Sequence, residues 1–349
     1  MARPKVSVII LNWNSSDYTL KCLDSLKKQA FRDFEVIIID NGSKDNSVNT
    51  LNDYTKKNKK LKIKLITEPV NRGFAEGNNI GVRASRGEYV ALLNSDTEVD
   101  KNWLRELVAA LDANRELAIA GSKVYNKYSG KNYEFHGYGT TTLMGFFAWN
   151  RKIPRDTDEL ADAFSVSGGA LMFKKNIIGE PFDKAYFAYH EDTYLAWLAR
   201  LRGYRLKVVP KSFVYHEGEI IVKKAKKLKP FFAELAERNR IMNLFLFYQA
   251  RNLVLLFPMF LVSLVLLNAG LSNLIPRLRA YSWLIANFGS LLRKRSVIQS
   301  QRKVTDAEIT QFMSHKLFEE ENRGLLRGLF TVLNRLSLAY CRLVGIKTI

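Results

Sequence analysis

Cysteine is nearly absent from this chain, whose 349 residues include only Cys22 and Cys341. Two cysteines so far apart exclude a disulfide framework and a cysteine-based metal cluster, so the sequence gives no sign of an oxidising compartment. Internal repeats and low-complexity tracts are also lacking, which excludes a solenoid. A secretory signal is not evident, because the apolar run at residues 6–13 is short and leads directly into polar residues. We therefore expect a first strand there, in a part of the chain that stays in the cytoplasm.

Acidic residues are in the minority, with 34 Asp and Glu against 54 Lys and Arg, which gives a formal net charge of +20. The excess is uneven, since residues 1–217 carry +7 and residues 218–349 carry +13. Nucleic acid and an anionic membrane surface both attract such a basic segment. Because the sequence contains no recognised nucleic-acid-binding motif, we expect no nucleic-acid partner and favour the membrane surface.

The first 217 residues alternate between strand-like and helix-like segments, and 47% hydrophobic residues are ample for a core. The alternation predicts an α/β fold with a mostly parallel sheet and helices on both of its faces. Strands are expected at residues 5–11, 34–39, 61–66, 89–93, 167–173, 205–209 and 213–215. Helices are expected at residues 17–29, 46–57, 77–85, 103–113 and 191–202. Residues 125–162 read as a long loop with a few short elements, which is typical of functional segments.

Polar side chains end the apolar run at residues 89–93, where Asn94, Ser95 and Asp96 follow. The carboxyl ends of strands in α/β sheets are where such folds bind ligands. A metal-bridged nucleotide diphosphate would need hard oxygen ligands at that place. The same three residues would also serve as a cap for the following turn, and the two interpretations are equally supported by this motif alone.

A second acidic pair, Glu191 and Asp192, begins an expected helix, where acids are favoured electrostatically in any case. The alternative is a general base, because the aromatic residues just before the pair would raise its pKa by desolvation. His216 follows the strand-like segment at residues 213–215, and a lone histidine is more often structural than a ligand.

Residues 71–81 contain three glycines and three asparagines around a helix start. Backbone N–H groups in such a segment can hold a phosphate, and Arg72 could pair with a phosphate oxygen. Asp40, at the end of the second strand, could accept hydrogen bonds from a nucleoside. Taken alone, its Asp-Asn-Gly-Ser sequence is better explained as ordinary turn chemistry.

The character of the chain changes after His216. Residues 223–229 are rich in lysine, and residues 253–274 form an apolar segment of nearly membrane-spanning length, interrupted by Pro258. Residues 281–292 are apolar, and residues 325–346 show the amphipathic pattern of a helix that lies in a bilayer interface. We expect a hairpin broken at Pro258 with both ends on the cytoplasmic side, because a single span would place the basic residues on opposite faces. A soluble helical subdomain that buries the same leucines in a homo-oligomer is the alternative.

Six short motifs occur in a fixed order at residues 7–14, 40–43, 71–79, 93–96, 167–170 and 191–192. In these motifs the chain resembles the family 2 glycosyltransferases with a GT-A fold, in particular their rhamnosyltransferase-like, membrane-associated branch. The resemblance covers roughly residues 5–217. It implies a catalytic domain at residues 1–222, membrane-associated helices at 223–300, either re-entrant or spanning, and an amphipathic helical tail at 301–349.

The resemblance also implies a role for each matching residue. Asp192 would be the catalytic base, and Asp96 with His216 would hold Mg²⁺ or Mn²⁺. The remaining matches would contact the nucleotide-diphospho-sugar donor: Leu11, Asn12 and Trp13 beside the nucleoside, Asp40 on the base, Arg72, Gly73 and Asn78 facing the diphosphate and sugar, and Asn94 and Ser95 in the metal motif.

The implied reaction is an inverting, metal-dependent transfer of one sugar from a UDP- or dTDP-sugar, dTDP-rhamnose among them. The acceptor would be a glycan on a polyprenyl diphosphate, at the cytoplasmic face of the cell membrane. Asn94 stands where the family has the first acid of its metal motif, Tyr194 where many relatives have an acid, and Leu198 where many have an arginine. The Gln-x-x-Arg-Trp motif of processive relatives is absent, which favours transfer of a single sugar.

Two other classes of function remain. A catalytically degenerate membrane scaffold would agree with Asn94 in the metal motif. A basic nucleic-acid-binding protein would explain the net charge of +20, but neither Asp96 and Asp192 nor the apolar segment.

Overall fold

The computed structural model describes residues 3–127, 132–135, 137–150, 152–268, 274–317 and 327–349, with the backbone alone at 219–229 and 327. The strands of this part are β1 (Val6–Asn12), β2 (Phe34–Asn41), β3 (Ile63–Glu68), β4 (Tyr89–Asn94), β5 (Thr97–Val99), β6 (Leu117–Asn126), β7 (Tyr138–Thr141), β8 (Phe147–Asn150), β9 (Ala161–Asp162), β10 (Ala170–Lys174) and β11 (Arg205–His216). Its α-helices are α1 (Ser16–Leu26), α2 (Ser47–Lys57), α3 (Gly73–Ala84), α4 (Trp103–Ala113), α5 (Lys175–Ile178), α6 (Glu191–Leu201), α7 (Glu219–Phe247), α8 (Ala250–Asn268), α9 (Leu274–Ala286), α10 (Phe288–Gln299), α11 (Asp306–Thr310) and α12 (Arg327–Leu343).

The main sheet has the strand order β3-β2-β1-β4-β10-β6-β11-β5, and β9 pairs with β11. Strands β3, β2, β1 and β4 are parallel neighbours, as are β6 and β11. β10 runs antiparallel to both β4 and β6, and β5 runs antiparallel to β11. The expected mostly parallel sheet is therefore confirmed, with one antiparallel strand inserted near its centre.

Both faces of this sheet are buried, which explains why its first strands are continuous apolar runs. Along β1, Val8 and Ile10 pack in one core with α1 and α4, whereas Ile9 packs in a second core on the opposite face. Successive side chains of a strand point to opposite faces, so each strand contributes to both cores. Full burial of one such side chain is worth roughly 1.5–3 kcal/mol.

Several elements differ from the sequence-based expectation. β6 was not expected, yet it lies between β10 and β11. The two short strands expected at 205–209 and 213–215 form the single strand β11, with an irregular register between Val209 and Phe213, where Pro210 lacks a backbone N–H. The expected loop at 125–162 contains the β7–β8 hairpin. The helix expected at 77–85 begins earlier, at Gly73.

The C-terminal helices pack on the second core rather than forming a separate unit. α7 begins before residue 223, where a domain boundary was expected, and it packs against α6, α9 and α10. Leu256 of α8 and Phe330 of α12 belong to the same apolar cluster as Trp197 of α6. The side chains of 223–229, and residues 269–273 and 325–326 of the two apolar segments, lie outside the described residues.

The expected break at Pro258 is wrong, because α8 continues through this residue. Pro258 lies on the exposed side of the helix, where a missing backbone hydrogen bond can be tolerated with local bending. α8 is the one helix of the described residues that is long and apolar enough to cross a membrane.

Candidate active site

A cleft of about 910 Å³ opens at the carboxyl ends of β1 and β4. Residues at the starts of α3 and α6, at the end of β11 and in the β7–β8 hairpin also line this cleft. Eight of the predicted site residues line it: Leu11, Trp13, Gly73, Asn94, Ser95, Asp96, Asp192 and His216. The other four, Asn12, Asp40, Arg72 and Asn78, lie beneath or beside it.

Gly168 and Gly169 bring the metal motif and the acidic pair to the same place. The backbone N–H of Asn94 donates to the Gly169 carbonyl over 2.8 Å, and a Cβ at Gly169 would lie only 2.4 Å from the Asn94 amide nitrogen. A Cβ at Gly168 would lie 3.3 Å from the Cβ of Asp192. A side chain at Gly169 would therefore displace Asn94, and one at Gly168 would fit only tightly against Asp192.

Three strand ends place Asp96 beside His216. Thr97 of β5 pairs with His216 of β11, and His216 pairs in turn with Asn126 of β6. The Asp96 Oδ1 lies 3.3 Å from the His216 Nε2, and the Asp96 carbonyl accepts the Glu217 N–H over 3.0 Å. The two predicted metal ligands are thus adjacent because of strand register.

The arrangement of these two side chains fits a divalent cation. The Asn126 Oδ1 lies 2.9 Å from the His216 Nδ1. Because an amide oxygen can only accept, this contact favours the tautomer with the ring proton on Nδ1. The unprotonated Nε2 then faces the carboxylate of Asp96, and this nitrogen is buried without a hydrogen-bond partner. Two electron-pair donors facing each other favour a cation between them. No group of three His, Cys, Asp or Glu ligands occurs among the described residues, so a bound diphosphate would have to supply further ligands.

The carboxyl groups of Glu191 and Asp192 share the first turn of α6. Burial raises the pKa of both groups, and the charge of Asp192 raises that of Glu191 further. The Asp192 Oδ1 accepts the Thr193 N–H over 2.7 Å, whereas the Glu191 Oε2 is buried without a partner. Hydrogen bonding therefore favours the charged form of Asp192 over that of Glu191, and the role of Asp192 as the base stays a prediction.

Asn12 and Asp40 form a buried network under the cleft. The Asp40 carboxylate accepts the Asn12 amide over 2.7 Å, the Ser43 N–H over 3.0 Å and the Ser43 hydroxyl over 2.6 Å. The Asn12 Oδ1 accepts the Thr19 hydroxyl over 2.8 Å. Asp40 is only 1% exposed, so here its carboxylate holds the 40–43 turn, and contact with a nucleoside base stays a prediction.

The segment at 71–81 forms the start of α3. The Arg72 side chain pairs with Glu68 over 3.2 Å, and the buried Asn78 donates to the Phe74 carbonyl in its own helix. Gly73 has φ +80°, and a Cβ there would lie 2.5 Å from the Phe187 carbonyl oxygen. Only glycine fits at this position.

Sequence reasoning missed Asn41, which holds that helix start in place. The Asn41 amide donates to the Asn71 Oδ1 over 3.0 Å and to the Gly73 carbonyl over 3.1 Å, and its oxygen accepts the Arg72 N–H over 2.9 Å. The sequence did contain an indication of this role, because Asn41 belongs to the same Asp-Asn-Gly-Ser motif as Asp40.

Sequence reasoning expected aromatic residues just before the acidic pair, among them Tyr189, but missed the other two that form the mouth of the cleft. Phe147, Tyr189 and Phe231 line it and are 60%, 37% and 41% exposed. Phe231 belongs to α7 and packs edge-on against Phe187. These three residues are far apart in the sequence, so no local sequence pattern indicates that they lie together.

Comparisons with known proteins find similarity to glycosyltransferases. A family model described as glycosyl transferase family 2 matches residues 7–178. A glycosyltransferase of Haemophilus influenzae named as uncharacterized is 31% identical over 34% of this chain and 36% of its own length. The glycosyltransferase GlyG of Streptococcus pneumoniae is 24% identical over 52% of this chain and 60% of its own. The chain thus matches about a third to three-fifths of the length of these relatives.

Solved structures share the fold at low identity. GalNAc-T7 with UDP, GalNAc and Mn²⁺ matches with a TM-score of 0.58 and 16% identity over 71% of this chain and 48% of that chain. The mannosyltransferase PcManGT of Pyrobaculum calidifontis with GDP-Man and Mn²⁺ matches with a TM-score of 0.52 and 16% identity over 98% and 87%. S. aureus TarS 1–349 with UDP matches with a TM-score of 0.51 and 18% identity over 97% and 90%.

Proposed function

We propose that this chain is a family 2 glycosyltransferase, which the match of residues 7–178 to that family model and the fold shared with solved glycosyltransferases support. It transfers one sugar from a UDP- or dTDP-sugar, such as dTDP-rhamnose, to a lipid-linked saccharide. One observation carries the proposal. A single cleft brings together the Asp96–His216 pair and the Asp192 carboxylate through Gly168 and Gly169. Its volume of about 910 Å³ suits a nucleotide sugar.

The proposed chemistry is a direct displacement with inversion. Asp192 takes the proton of the acceptor hydroxyl as that oxygen attacks the anomeric carbon. The bond to the nucleoside diphosphate breaks on the opposite side, and its electron pair leaves with the diphosphate. Asp96 and His216 would hold Mg²⁺ or Mn²⁺, which supplies charge stabilisation for the departing diphosphate. The Mn²⁺ and the nucleotides bound by the solved neighbours support this assignment.

A screen of sugar nucleotides tests the proposal. We expect UDP-GlcNAc, UDP-galactose or dTDP-rhamnose to raise the melting temperature in the presence of Mn²⁺, whereas stabilisation by GDP-mannose alone would refute the proposed UDP- or dTDP-sugar donor. A ligand that binds only the native state adds about 2.7 kcal/mol of stability at 100 times its Kd. The same donors with EDTA are the control. If no donor stabilises the protein and none is hydrolysed, the catalytic proposal fails and the scaffold hypothesis replaces it.

Membrane association is part of the proposal and is supported by the exposed face of α8. One side of this helix is buried, with Asn252, Leu256, Met259 and Ser263. The other side is apolar and exposed: Val254, Phe257, Leu261 and Val265 are 72%, 54%, 45% and 69% exposed. Residues 250–305 contain eight Lys and Arg and no Asp or Glu. A basic segment with an apolar exposed face is complementary to an anionic bilayer surface.

Contacts at both ends of α8 favour a helix that lies in the plane of the membrane. Just before α8 the backbone N–H of Gln249 donates to Asp306 over 2.8 Å. At its other end Asn268 lies 3.4 Å from the Tyr281 hydroxyl, which donates to Glu237 of α7 over 3.2 Å. Both ends are thus attached to the folded body, which argues against a helix that crosses the bilayer. The excess of Lys and Arg supports the proposal that this face contacts the cytoplasmic leaflet.

Substituting Phe257 and Leu261 together by Asp tests the membrane face. We expect flotation with vesicles that contain phosphatidylglycerol to weaken by roughly 100-fold, because each buried apolar side chain contributes about 1.5–3 kcal/mol. Val70→Asp, at an exposed apolar residue of the catalytic part, is the matched control. Wild-type protein that does not float with these vesicles would refute membrane association.

Cysteine labelling separates an in-plane helix from a spanning one. Cys22 and Cys341 are buried, so cysteines introduced at Arg251 and Arg279 can be labelled selectively. We expect both to react from the same side of sealed vesicles, whereas labelling from opposite sides would require a membrane-spanning α8.

A further inference from the structure

The loop that precedes the acidic pair has an unfavourable backbone. Phe187, Tyr189 and His190 have φ values of 60°, 69° and 63°, a region that side chains other than glycine rarely adopt. We call residues 186–190 the hinge loop. Such conformations persist only when the surrounding structure holds them, and they concentrate at functional sites.

Asn239 of α7 holds the hinge loop from below. Its amide nitrogen lies 2.9 Å from the Tyr186 carbonyl oxygen, 2.9 Å from that of Ala188 and 2.8 Å from that of Tyr189. The Asn239 side chain is fully buried, so no water competes for these carbonyls. One side chain therefore fixes three of the five peptide units of the loop.

The neighbours of Asn239 fix its orientation and extend the contact. The Arg238 Nε donates to the Asn239 Oδ1 over 3.0 Å, which turns the amide nitrogen toward the loop. Asn243, one turn further along α7, donates to the His190 carbonyl over 3.1 Å and accepts the Tyr186 hydroxyl over 2.5 Å. The amide of Asn239 is thus held in one position by its own surroundings.

The hinge loop contacts both halves of the cleft. On one side the Phe187 carbonyl accepts the Ala75 N–H over 3.1 Å, beside Gly73 at the start of α3. On the other side the chain runs directly from His190 into Glu191 and Asp192, and the His190 carbonyl accepts the Tyr194 N–H over 2.9 Å. A change in the loop backbone would therefore move the acidic pair relative to the donor side of the cleft.

We propose that Asn239 is a positioning residue, which sets the place of the Asp192 carboxylate by fixing the backbone of the hinge loop. Asn239 is not among the residues that line the cleft. The inference rests on the proposed function, because the position of Asp192 matters only if that carboxylate takes a proton. The inference predicts that removing the hydrogen bonds of Asn239 slows the chemical step more than it weakens donor binding.

The test compares two variants with wild-type protein. Asn239→Ala removes the side chain, and Asn239→Asp keeps its shape and the acceptor for Arg238 but cannot donate to the carbonyls. The readout is the release of nucleoside diphosphate, in Mn²⁺, from whichever of UDP-GlcNAc, UDP-galactose, GDP-mannose and dTDP-rhamnose wild-type protein hydrolyses. We expect kcat to fall by roughly 10–100-fold in both variants, as for a misplacement of about 1 Å, with the donor KM changed by less than about threefold.

Asn252→Ala is the matched control, because Asn252 is a buried amide on α8 that contacts Asp306 and lies outside the cleft. We expect it to lower the melting temperature while kcat stays within about twofold of wild type at a temperature where the variant is folded. If kcat of the folded Asn239 variants also stays within twofold, the positioning role is refuted. If Asn239→Ala does not fold, Asn239→Asp decides alone. Wild-type protein that hydrolyses none of the four donors would instead refute the proposed function.

Discussion

Replacing Asp192 by Asn is expected to lower the rate of sugar transfer by about 10²–10⁴-fold, the usual contribution of a positioned general base. Asn has the same shape but cannot take a proton. The donor Kd should stay nearly unchanged, because Asp96 and His216 are left intact. Turnover by the variant and isothermal titration with the donor check the two parts of this result. Retention of more than a tenth of wild-type turnover would mean that another group is the base.

Glu191→Gln is the matched control for this experiment. Its buried Oε2 has no partner, and hydrogen bonding favours the charged form of Asp192 over that of Glu191. A neutral amide therefore resembles the native state of this side chain, and we expect a loss of less than about tenfold. A larger loss in Glu191→Gln than in Asp192→Asn would reverse the two assignments.

Asp96→Ala is expected to raise the Mn²⁺ concentration for half-maximal activity by roughly 100-fold or more. Loss of a residue that only orients a ligand already costs about 10–100-fold, and loss of a charged ligand to a hard cation should cost at least as much. His216→Ala should have a smaller effect on this concentration, because the imidazole that it removes is a neutral ligand. Asn126→Ala should raise this Mn²⁺ concentration by about 10-fold, because the native Asn126 orients the imidazole ring of His216.

Glu98→Ala controls for the loss of negative charge near the metal site. Glu98 lies two residues beyond Asp96 in β5, and its side chain is exposed. Its removal should leave the Mn²⁺ titration unchanged. If Asp96→Ala and His216→Ala also leave it unchanged, the cation is held by the diphosphate alone or is not used.

The parts of the fold that were predictable from the sequence are those with strong local patterns. β1, β2 and β4 are continuous runs of large apolar residues, and both faces of each are buried. β6 was missed because Ala118, Ala120 and Gly121 have little strand propensity. Its small residues are explained by packing, since a Cβ at Gly121 would lie 2.3 Å from the Cβ of Val166.

In the candidate site too, the residues with a local sequence pattern were predictable and those without one were not. Asp96, Asp192 and His216 were predicted because each follows or begins a recognisable element, and all three line one cleft. Asn126 and Asn239 were not predicted, because their roles depend on partners about 90 and 50 positions away. Strand register and helix packing decide those contacts, and neither is encoded by a local motif.

The position of α7 also limits how this protein can be divided. A chain that ended at residue 222 would keep every residue of the six sequence motifs, yet it would lose Asn239 and Asn243 and expose the apolar face of α6. The catalytic half is therefore not a module that can be exchanged between different C-terminal halves. Any recombined enzyme would have to inherit α7 together with the loop it supports, so the two segments are expected to be transferable only as a unit.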